Sequence, residues 1–417
     1  MLINGRTLRA ARVEAGISMR GMARRIGISY SHLSNVERGD RRATAAVVEA
    51  YRRALADKGH VVDTAPEDGQ RCDTLDLLRG AGLLGAVPPL TAVEAVRAGL
   101  HRAVGGRSRA EWWRQAIADY GASHYLAPPA ELLRDLLTDA ALLETYLAED
   151  LAADRRDLLL AAGYLAGVTA LTWSNLGERR LARRWWHTAL DAADRSEDPA
   201  VQVWVRAWAV MNGPNIGRRP SEILSLAQER LGDRLAPDSG SCALLGGLAQ
   251  TQADLGDPAA VTTLRRLAEL TERVPGEIAA DRGSLFGWPE VRLRYTESYV
   301  HTARHDTRAA YAAQDRALEL YGADLPRDRA KMLLHRARCL VIDGDITGGA
   351  AYATDVLDHL DATVRFESVH ASARAVLAVV PPSGRKLAAV RTLRGVLADG
   401  GQVTVQETGT PAQGAAR

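Results

Sequence analysis

Several polar side chains between residues 18 and 42 are of the types that form hydrogen bonds with nucleic-acid bases and phosphates. An asparagine such as Asn35 can pair with adenine through two hydrogen bonds. A serine such as Ser31 can donate to or accept from either kind of base pair, and Tyr30 can contact a thymine methyl group or a phosphate. These side chains can act together only if one exposed helix face presents them.

Helical periodicity and glycine stops predict how the residues are positioned. Four helices are predicted in this segment, over about residues 8–15, Met19–Ile26, Tyr30–Arg38 and 45–56. Ser18 and Ser29 are suited to cap the second and third helices, and Gly27 is suited to end the second. The third helix then points Leu33 and Val36 inward. Its outward residues are Tyr30, Ser31, Asn35 and Arg38.

Charge is distributed unevenly along the chain. Residues 1–60 contain 12 Lys or Arg against 5 Asp or Glu, a net charge of +7. The chain as a whole carries +2, so the other 357 residues carry −5. A basic segment attached to a mildly acidic body favours a polyanionic partner for that segment.

The stretch from Gly5 to Thr44 resembles the Cro/repressor-type (Xre) helix-turn-helix family over roughly the first 57 residues. The resemblance implies that the third helix enters a DNA major groove while the second helix and the loop after the third follow the phosphates. It also implies a structural pair between Arg12 and Glu37. The residues expected at the DNA are Met19, Arg20, Ser29, Tyr30, Ser31, His32, Asn35, Arg38, Arg41 and Arg42.

The sequence departs from the family pattern at three positions. Gly21 lies inside the second helix, where glycine costs about 1 kcal/mol relative to alanine. Met19 replaces a polar residue, so that it can reach a phosphate only through its backbone N–H. Ala43 stands where the family often has proline. None of these changes removes the surface expected to face DNA.

Beyond residue 108, strand signals are almost absent and turn residues recur at a nearly constant interval. The turns are at Gly177, Gly217, Gly256, His305-Asp306, Gly344 and Gly384, at spacings of 40, 39, 50, 38 and 40 when the fourth is taken at Asp306. A period near 40 with a turn inside each unit predicts stacked helical hairpins. Around Gly177, the residues Ala170, Trp173, Ala182, Trp186 and Ala189 are similar to those of tetratricopeptide (TPR) repeats. The predicted fold class is therefore all-α, a helix-turn-helix bundle followed by a TPR-like α-solenoid.

An Xre head joined to a degenerate TPR-like body resembles a group of bacterial regulators that is common in actinobacteria. The resemblance implies a concave solenoid face, lined by the first helix of each hairpin, that binds a peptide or small molecule. The candidate residues there are Trp173, Asn175, Trp204, Trp208, Asn212, Asn215, Arg292, Arg294, Tyr295 and Tyr299. Two interpretations stay open: the asparagines either hold a peptide backbone or act as helix C-caps and turn formers, and the tryptophans either form a cage or belong to the core.

Other chemistries lack the residues that they need. The chain contains no GK[ST], HExxH or GxSxG motif, so we expect no enzymatic activity and no cofactor. The string Gly80–Gly85 matches GxGxxG but follows no strand. His301 and His305 share a spacing of four without a third ligand, so no metal site is expected. We expect no secretion signal and no membrane-spanning helix.

The sequence thus predicts a cytoplasmic, homodimeric regulator that binds double-stranded DNA and senses a peptide or small-molecule effector. The alternative is a TPR-type adaptor whose head does not read DNA. The expected domains are residues 1–57 for DNA binding, 58–72 as linker, 73–400 as the sensor and oligomerisation repeat, and 401–417 as a disordered tail.

Overall fold

The computed structural model describes residues 8–9, 12–13, 15, 17–38, 47, 50–51, 54, 109–148, 155–232, 235–322, 325–361 and 364–399. Within these ranges the protein is all-α, as predicted. Contacts between backbone segments divide the chain into two units, Met1–Cys72 and Asp73–Arg417. The predicted linker 58–72, the tail 401–417 and the Gly80–Gly85 string lie outside the described residues.

The first unit contains two helices with described ends, α1 (Met19–Ile26) and α2 (Tyr30–Arg38). Residues 8–9 and 12–13 are helical, and so are 47, 50–51 and 54, in the segments predicted as the first and fourth helices. Leu8, Met22, Leu33, Val36 and Tyr51 are fully or almost fully buried in one core. The two predicted central helices have the bounds expected from their caps.

The second unit is a series of antiparallel helices. They are α3 (Arg109–Leu126), α4 (Pro129–Ala148), α5 (Arg155–Asn175), α6 (Arg179–Ser196), α7 (Pro199–Asn212), α8 (Pro220–Gln228), α9 (Ser239–Asp254), α10 (Ala259–Thr271), α11 (Gly276–Ala280), α12 (Glu290–Ala303), α13 (Thr307–Leu320), α14 (Pro326–Ile342), α15 (Ile346–His359), α16 (Glu367–Ala378) and α17 (Ala388–Asp399). A short 3₁₀ helix, Pro382–Gly384, precedes α17.

Consecutive helices pair as hairpins, and the hairpins stack through one helix of each pair. The helices α5, α9, α12 and α14 each pack against the next helix in the chain. In addition α5 contacts α7, α7 contacts α9, α9 contacts α12, α12 contacts α14, and α14 contacts α16. The series curls back on itself, because α16 also contacts α5 and the guanidinium of Arg179 lies 3.1 Å from the carboxylate of Glu367.

The predicted turns are confirmed at five of the six positions. Gly177, Gly217, Gly256, His305 and Gly344 have φ of 81, 69, 70, 63 and 100°, the left-handed conformation that ends a helix. In each case the following N–H donates to the carbonyl five residues earlier, at 2.9–3.0 Å, as from Glu178 to Trp173. Gly384 lies instead in the 3₁₀ helix. The repeated turn is thus a Schellman motif, and one of the five uses a histidine.

Of the described helices, α5 alone is long and apolar enough to span a membrane by length and hydropathy, with a mean hydropathy of 1.2. Two-thirds of the apolar stretch of α5 is buried in the protein, and the helices that contact α5 include α4, α6 and α7. Its apolar character is therefore that of a core helix, since a helix that is hydrophobic all round is also expected at the centre of a large protein.

Candidate nucleic-acid interface and cavity of the second unit

The turn between α1 and α2 sets the angle of the two helices in the first unit. Ser18 caps α1 by accepting from the Gly21 N–H at 3.1 Å. Gly27 takes a left-handed conformation at the end of α1, and the Ile28 N–H donates to the Ala23 carbonyl at 3.1 Å. Ser29 then accepts from the His32 N–H at 3.2 Å. These bonds satisfy backbone groups that helix ends otherwise leave unpaired.

Glycine inside α1 has a local explanation. A Cβ at Gly21 would lie 3.1 Å from Ser18 Oγ, the atom that caps the helix. A larger residue there would crowd the cap, so the departure from the family pattern is consistent with the geometry of this turn.

The inner face of α2 is fixed by a buried polar network. Arg12 Nε and Nη2 donate to the two carboxylate oxygens of Glu37 at 2.7 and 2.8 Å, and Arg12 Nη1 donates to the Ile17 carbonyl at 2.8 Å. The Tyr51 hydroxyl also donates to Glu37. The hydrogen bond to Glu37 raises the pKa of the Arg12 guanidinium, and burial together with Glu37 raises the pKa of Tyr51 well above its usual range. Both groups therefore keep their protons at every physiological pH.

The outer face of α2 carries the side chains that the sequence predicted for base contact. Tyr30 is 53% exposed, Ser31 and Arg38 are exposed, and Asn35 is half-buried. Arg38 Nη2 donates to Asn35 Oδ1 at 2.6 Å, which orients the amide along the helix surface. Leu33, Val36 and Glu37 occupy the opposite side, so the structure brings the four polar side chains together on one face.

The remaining predicted DNA contacts lie around this face. Arg20 and Ser29 are exposed, whereas Met19 and His32 are half-buried. Met19 packs against the core of the first unit, leaving its backbone at the start of α1. Arg41 and Arg42 lie outside the described residues.

A cavity with a volume of about 390 Å³ lies within the described part of the second unit. Its wall is formed by α3, α5, α7, α9, α12, α14 and α16, together with the first residue of α6 and the turn after α7. Six predicted ligand residues line it: Asn175, Trp208, Asn212, Asn215, Tyr295 and Tyr299. The hairpin helices that stack on one another are thus the ones that enclose it.

Two of these six predicted residues are held by bonds within the protein. The Asn212 side chain accepts from Trp186 Nε1 at 3.0 Å and donates to Ser174 Oγ at 2.9 Å, which links α5, α6 and α7. The Tyr299 hydroxyl donates to Asp254 at 2.8 Å, and burial is the main cause that raises its pKa. Both polar ends of the Asn212 amide are therefore engaged in structure.

The other four predicted ligand residues are not on the wall of this cavity. Trp204 is only 2% exposed and stacks on Phe286, with ring centroids 5.3 Å apart, in the core. Trp173 packs against the same core. Arg292 lines a smaller neighbouring cavity and donates to the Tyr125 hydroxyl at 2.8 Å. Arg294 pairs with two glutamates of its own helix.

Much of the cavity wall was not predicted from the sequence. The unpredicted polar and aromatic residues are His124, Tyr125, Arg179, Gln250, Arg327, Asp328, Lys331, His335, Arg338, Ser368, Ser372 and Arg374. Arg327, Lys331, His335 and Arg338 follow one another at spacings of three or four along α14, which places them on one helix face. This row of polar residues is the one signal for the cavity that the sequence contains. The same pattern is typical of the solvated face of a surface helix, so it did not predict a cavity.

Comparison with known proteins identifies the first unit. Residues 8–56 match the Helix-turn-helix family. No curated protein and no solved structure matches the chain. Residues 8–56, which include α1, α2 and the buried Glu37–Tyr51 contact, are therefore an Xre-type helix-turn-helix domain, and its presence supports a DNA-binding regulator.

Proposed function

We propose that this protein is a sequence-specific transcriptional regulator that acts in the cytoplasm as a homodimer and whose second unit senses an effector. The observation that carries the DNA-binding part is the outer face of α2. Ser31, Asn35 and Arg38 lie on it together, and the Arg12–Glu37 pair holds the opposite side of the helix. Polar side chains fixed on an exposed recognition helix are what base readout requires.

Phosphate contacts supply most of the affinity in this proposal. Arg20 and Arg24 are exposed on α1, in a segment that carries +7 over its first 60 residues. Such charges position a protein on DNA without reading sequence, and their contribution falls with salt. Arg41 and Arg42 are proposed to extend this surface.

The sensing part of the proposal concerns the second unit. We regard its hairpins as degenerate TPR-like repeats, because the turns recur near every 40 residues and one helix of each hairpin faces a shared cavity. The effector is proposed to be a peptide, a small molecule or a protein partner bound on that inner surface. Two chains would place two recognition helices on half-sites about one helical turn apart, roughly 34 Å.

An electrophoretic mobility shift assay on genomic fragments tests DNA reading. Specific shifts are expected from the wild-type chain, and Asn35→Ala and Ser31→Ala are expected to remove them while leaving weak, salt-sensitive binding. Asn215→Ala is the matched control, because it removes an asparagine from the second unit and should leave the shifts unchanged in the absence of effector. Circular dichroism verifies that each variant is folded.

The competing hypothesis is an adaptor with a head that does not read DNA. It predicts shifts that disappear uniformly as salt rises and that ignore both α2 substitutions. Sedimentation of the full chain, alone and with a shifted fragment, tests the dimer, and a single copy on DNA would contradict the two-headed arrangement.

A further inference from the structure

The cavity of the second unit has an unusual charge balance. Among the described residues, five cationic side chains and one carboxylate, that of Asp328, line it. The cations are Arg179, Arg327, Lys331, Arg338 and Arg374. Buried charges in proteins are usually paired, and these five cations differ in whether they have a carboxylate partner within the protein.

Three of the five have close carboxylate partners. Lys331 Nζ lies 2.7 Å from Asp328. Arg374 and Arg179 both contact Glu367, at 2.6 and 3.1 Å. Glu367 therefore neutralises the charge of only one of its two arginine partners.

The other two arginines are left with positive charge facing the cavity. Arg327 shares Asp328 with Lys331 at the longer distance of 3.6 Å. No carboxylate among the described residues lies within ion-pair distance of Arg338. Asp254, the carboxylate that Arg338 affects through space, instead accepts from Tyr299. The excess charge is thus concentrated on α14.

Several residues that line the cavity have buried hydrogen-bonding atoms without a partner. In the described part of the chain, five lining residues each have one buried side-chain nitrogen without a hydrogen-bond partner: His124 Nδ1, Trp208 Nε1, Gln250 Nε2, Arg327 Nη1 and Arg338 Nε. His124 and Arg327 are each only 7% exposed. Leaving a buried donor unpaired is unfavourable, so an acceptor oxygen that comes within reach of these side chains in the cavity would be stabilised.

The rest of the wall is aromatic. Tyr125, Trp208, Tyr295 and Tyr299 all line the cavity. The Arg327 guanidinium lies 5.1 Å from the centroid of the Tyr125 ring, and the Tyr295 ring lies 5.1 Å from that of His335. Ring faces of this kind pack against a planar or apolar body. A volume of about 390 Å³ falls in the range of small-molecule sites rather than of long peptide grooves.

From these contacts we infer that the cavity binds a small organic anion, with a carboxylate or phosphate oxyanion held by Arg327 and Arg338 and a planar body held among Tyr125, Trp208 and Tyr295. The inference rests on the proposed sensing function and narrows its effector to one chemical class. Arginine suits this role because its planar donors match the two oxygens of such a group.

The titration of the neighbouring histidines agrees with a positive cavity. Burial lowers the pKa of His124 to about 3, and the charges of Arg327, Lys331 and Arg292 act in the same direction. Asp328 raises the pKa of His124, but by less than burial lowers it. Burial also lowers the pKa of His335 to about 3, and the charges of Arg338 and Lys331 contribute to that shift. Both imidazoles are neutral near pH 7, so the positive charge of the wall belongs to the arginines and Lys331.

Thermal unfolding of the full chain tests the inference without knowledge of the natural ligand. The probes are inorganic phosphate, phenyl phosphate and benzoate, each compared with sodium chloride at equal ionic strength. Benzamide and benzylamine serve as neutral and cationic counterparts. Because a ligand that binds only the folded state stabilises it, phenyl phosphate or benzoate is expected to raise the Tm by several degrees, and the two counterparts are not. The stronger of the two anions identifies the oxyanion as phosphate or carboxylate.

Substitutions on α14 localise the effect. Arg338→Gln and Arg327→Gln should abolish the anion-dependent rise in Tm. Arg336→Gln is the matched control, because Arg336 is on the same helix but pairs with Asp315 outside the cavity. Arg338→Gln removes an unpaired cation, so its Tm without anion should equal or exceed that of the wild type. Isothermal titration of the best probe supplies a second measurement of its Kd for each variant.

The inference is overturned if no anion raises the Tm beyond chloride, or if Arg327→Gln and Arg338→Gln respond to the anion as the wild type does. A failure of the proposed sensing function would look different. In that case the anion raises the Tm through Arg327 and Arg338, but DNA mobility shifts are the same with and without it. DNA shifts that occur normally without any anion-specific stabilisation would leave the regulator proposal intact and remove only this cavity assignment.

Discussion

The Arg12 guanidinium and the Glu37 carboxylate meet through two parallel contacts of 2.7 and 2.8 Å in the core of the first unit, although they are 25 positions apart in the chain. Their side chains are only 9% and 1% exposed. Glu37 immediately precedes Arg38, the last residue of α2, so the pair ties the end of the proposed recognition helix to the helical segment that contains residue 12. The buried Arg12–Glu37 pair and the outer face that is proposed to read bases are therefore two sides of the same helical turn.

Removing one partner of this pair should be strongly destabilising, because it leaves the other charge buried and uncompensated. Glu37→Gln is expected to lower the free energy of opening of the first unit by about 3–5 kcal/mol. Hydrogen exchange of peptides that cover Tyr30–Arg38 measures it. Arg24→Gln, at an exposed position of α1, is the control and should change exchange little. Equal protection in the two variants would contradict a stabilising role for the pair.

The histidine among the helix-ending turns should be a site of backbone strain. His305 has φ of 63°, where side chains with a Cβ are disfavoured, and it is exposed. His305→Gly is expected to stabilise the second unit by about 0.5–1 kcal/mol, and Gly256→Ala in the equivalent turn to destabilise it by about 1 kcal/mol. Urea unfolding measures both effects.

A glycine outside the turns provides the control for chain entropy. Gly276 begins α11 with an ordinary φ, and a Cβ there would meet open space. Gly276→Ala should therefore be neutral or slightly stabilising. If Gly256→Ala behaved in the same way, the left-handed conformation would not be the determining factor.

Local signals in the sequence predicted the local structure well. Ser18, Gly27 and Ser29 set the bounds of α1 and α2, since caps and left-handed glycines act within a few residues of their own position. The turns after α5, α7, α9, α12 and α14 were predicted for the same reason. Six residues of the cavity wall, on α5, α7 and α12 and in the turn after α7, were among the candidates implied by the resemblance to TPR-containing regulators.

The rest of the cavity wall depends on contacts between distant parts of the chain, which no local pattern encodes. Arg292 reaches Tyr125 across 167 positions, and Arg179 reaches Glu367 across 188. The row of polar residues on α14 faces a cavity instead of solvent because the series of hairpins curls back on itself. Trp204 was instead expected to line the concave surface but lies in the core. There it stacks on Phe286, which comes from the long loop before α12.

The buried imidazole of His335 should make stability depend on pH. Its pKa is about 3 in the folded protein and about 6.5 in an unfolded chain. The unfolded chain therefore binds more protons between these values, and the free energy of unfolding decreases as the pH falls from 6.5 toward 3. The contribution of one such group is at most about 1.4 kcal/mol per pH unit.

His335→Asn should reduce this slope while its amide retains a bond to Ser298, whose hydroxyl lies 3.0 Å from His335 Nδ1. Urea unfolding at several pH values between 6.5 and 4.5 measures the slope in a range above most carboxyl titrations. His187→Asn removes an exposed histidine of α6 and controls for the loss of a histidine as such. A slope in His335→Asn as steep as in the wild type would exclude the assignment.

Substitution of Asn212 distinguishes a structural role of this cavity residue from a ligand-binding role. Its amide accepts from Trp186 Nε1 and donates to Ser174, and its side chain also borders the cavity. Asn212→Ala should cost about 1–3 kcal/mol, because two buried partners lose their bonds. In a cycle with Trp186→Phe, the two losses should be less than additive by about 1 kcal/mol, since each variant breaks the same bond. The anion-dependent rise in Tm should persist in Asn212→Ala at its lower baseline. If that rise disappeared while the cycle was additive, Asn212 would hold the ligand instead of linking three helices.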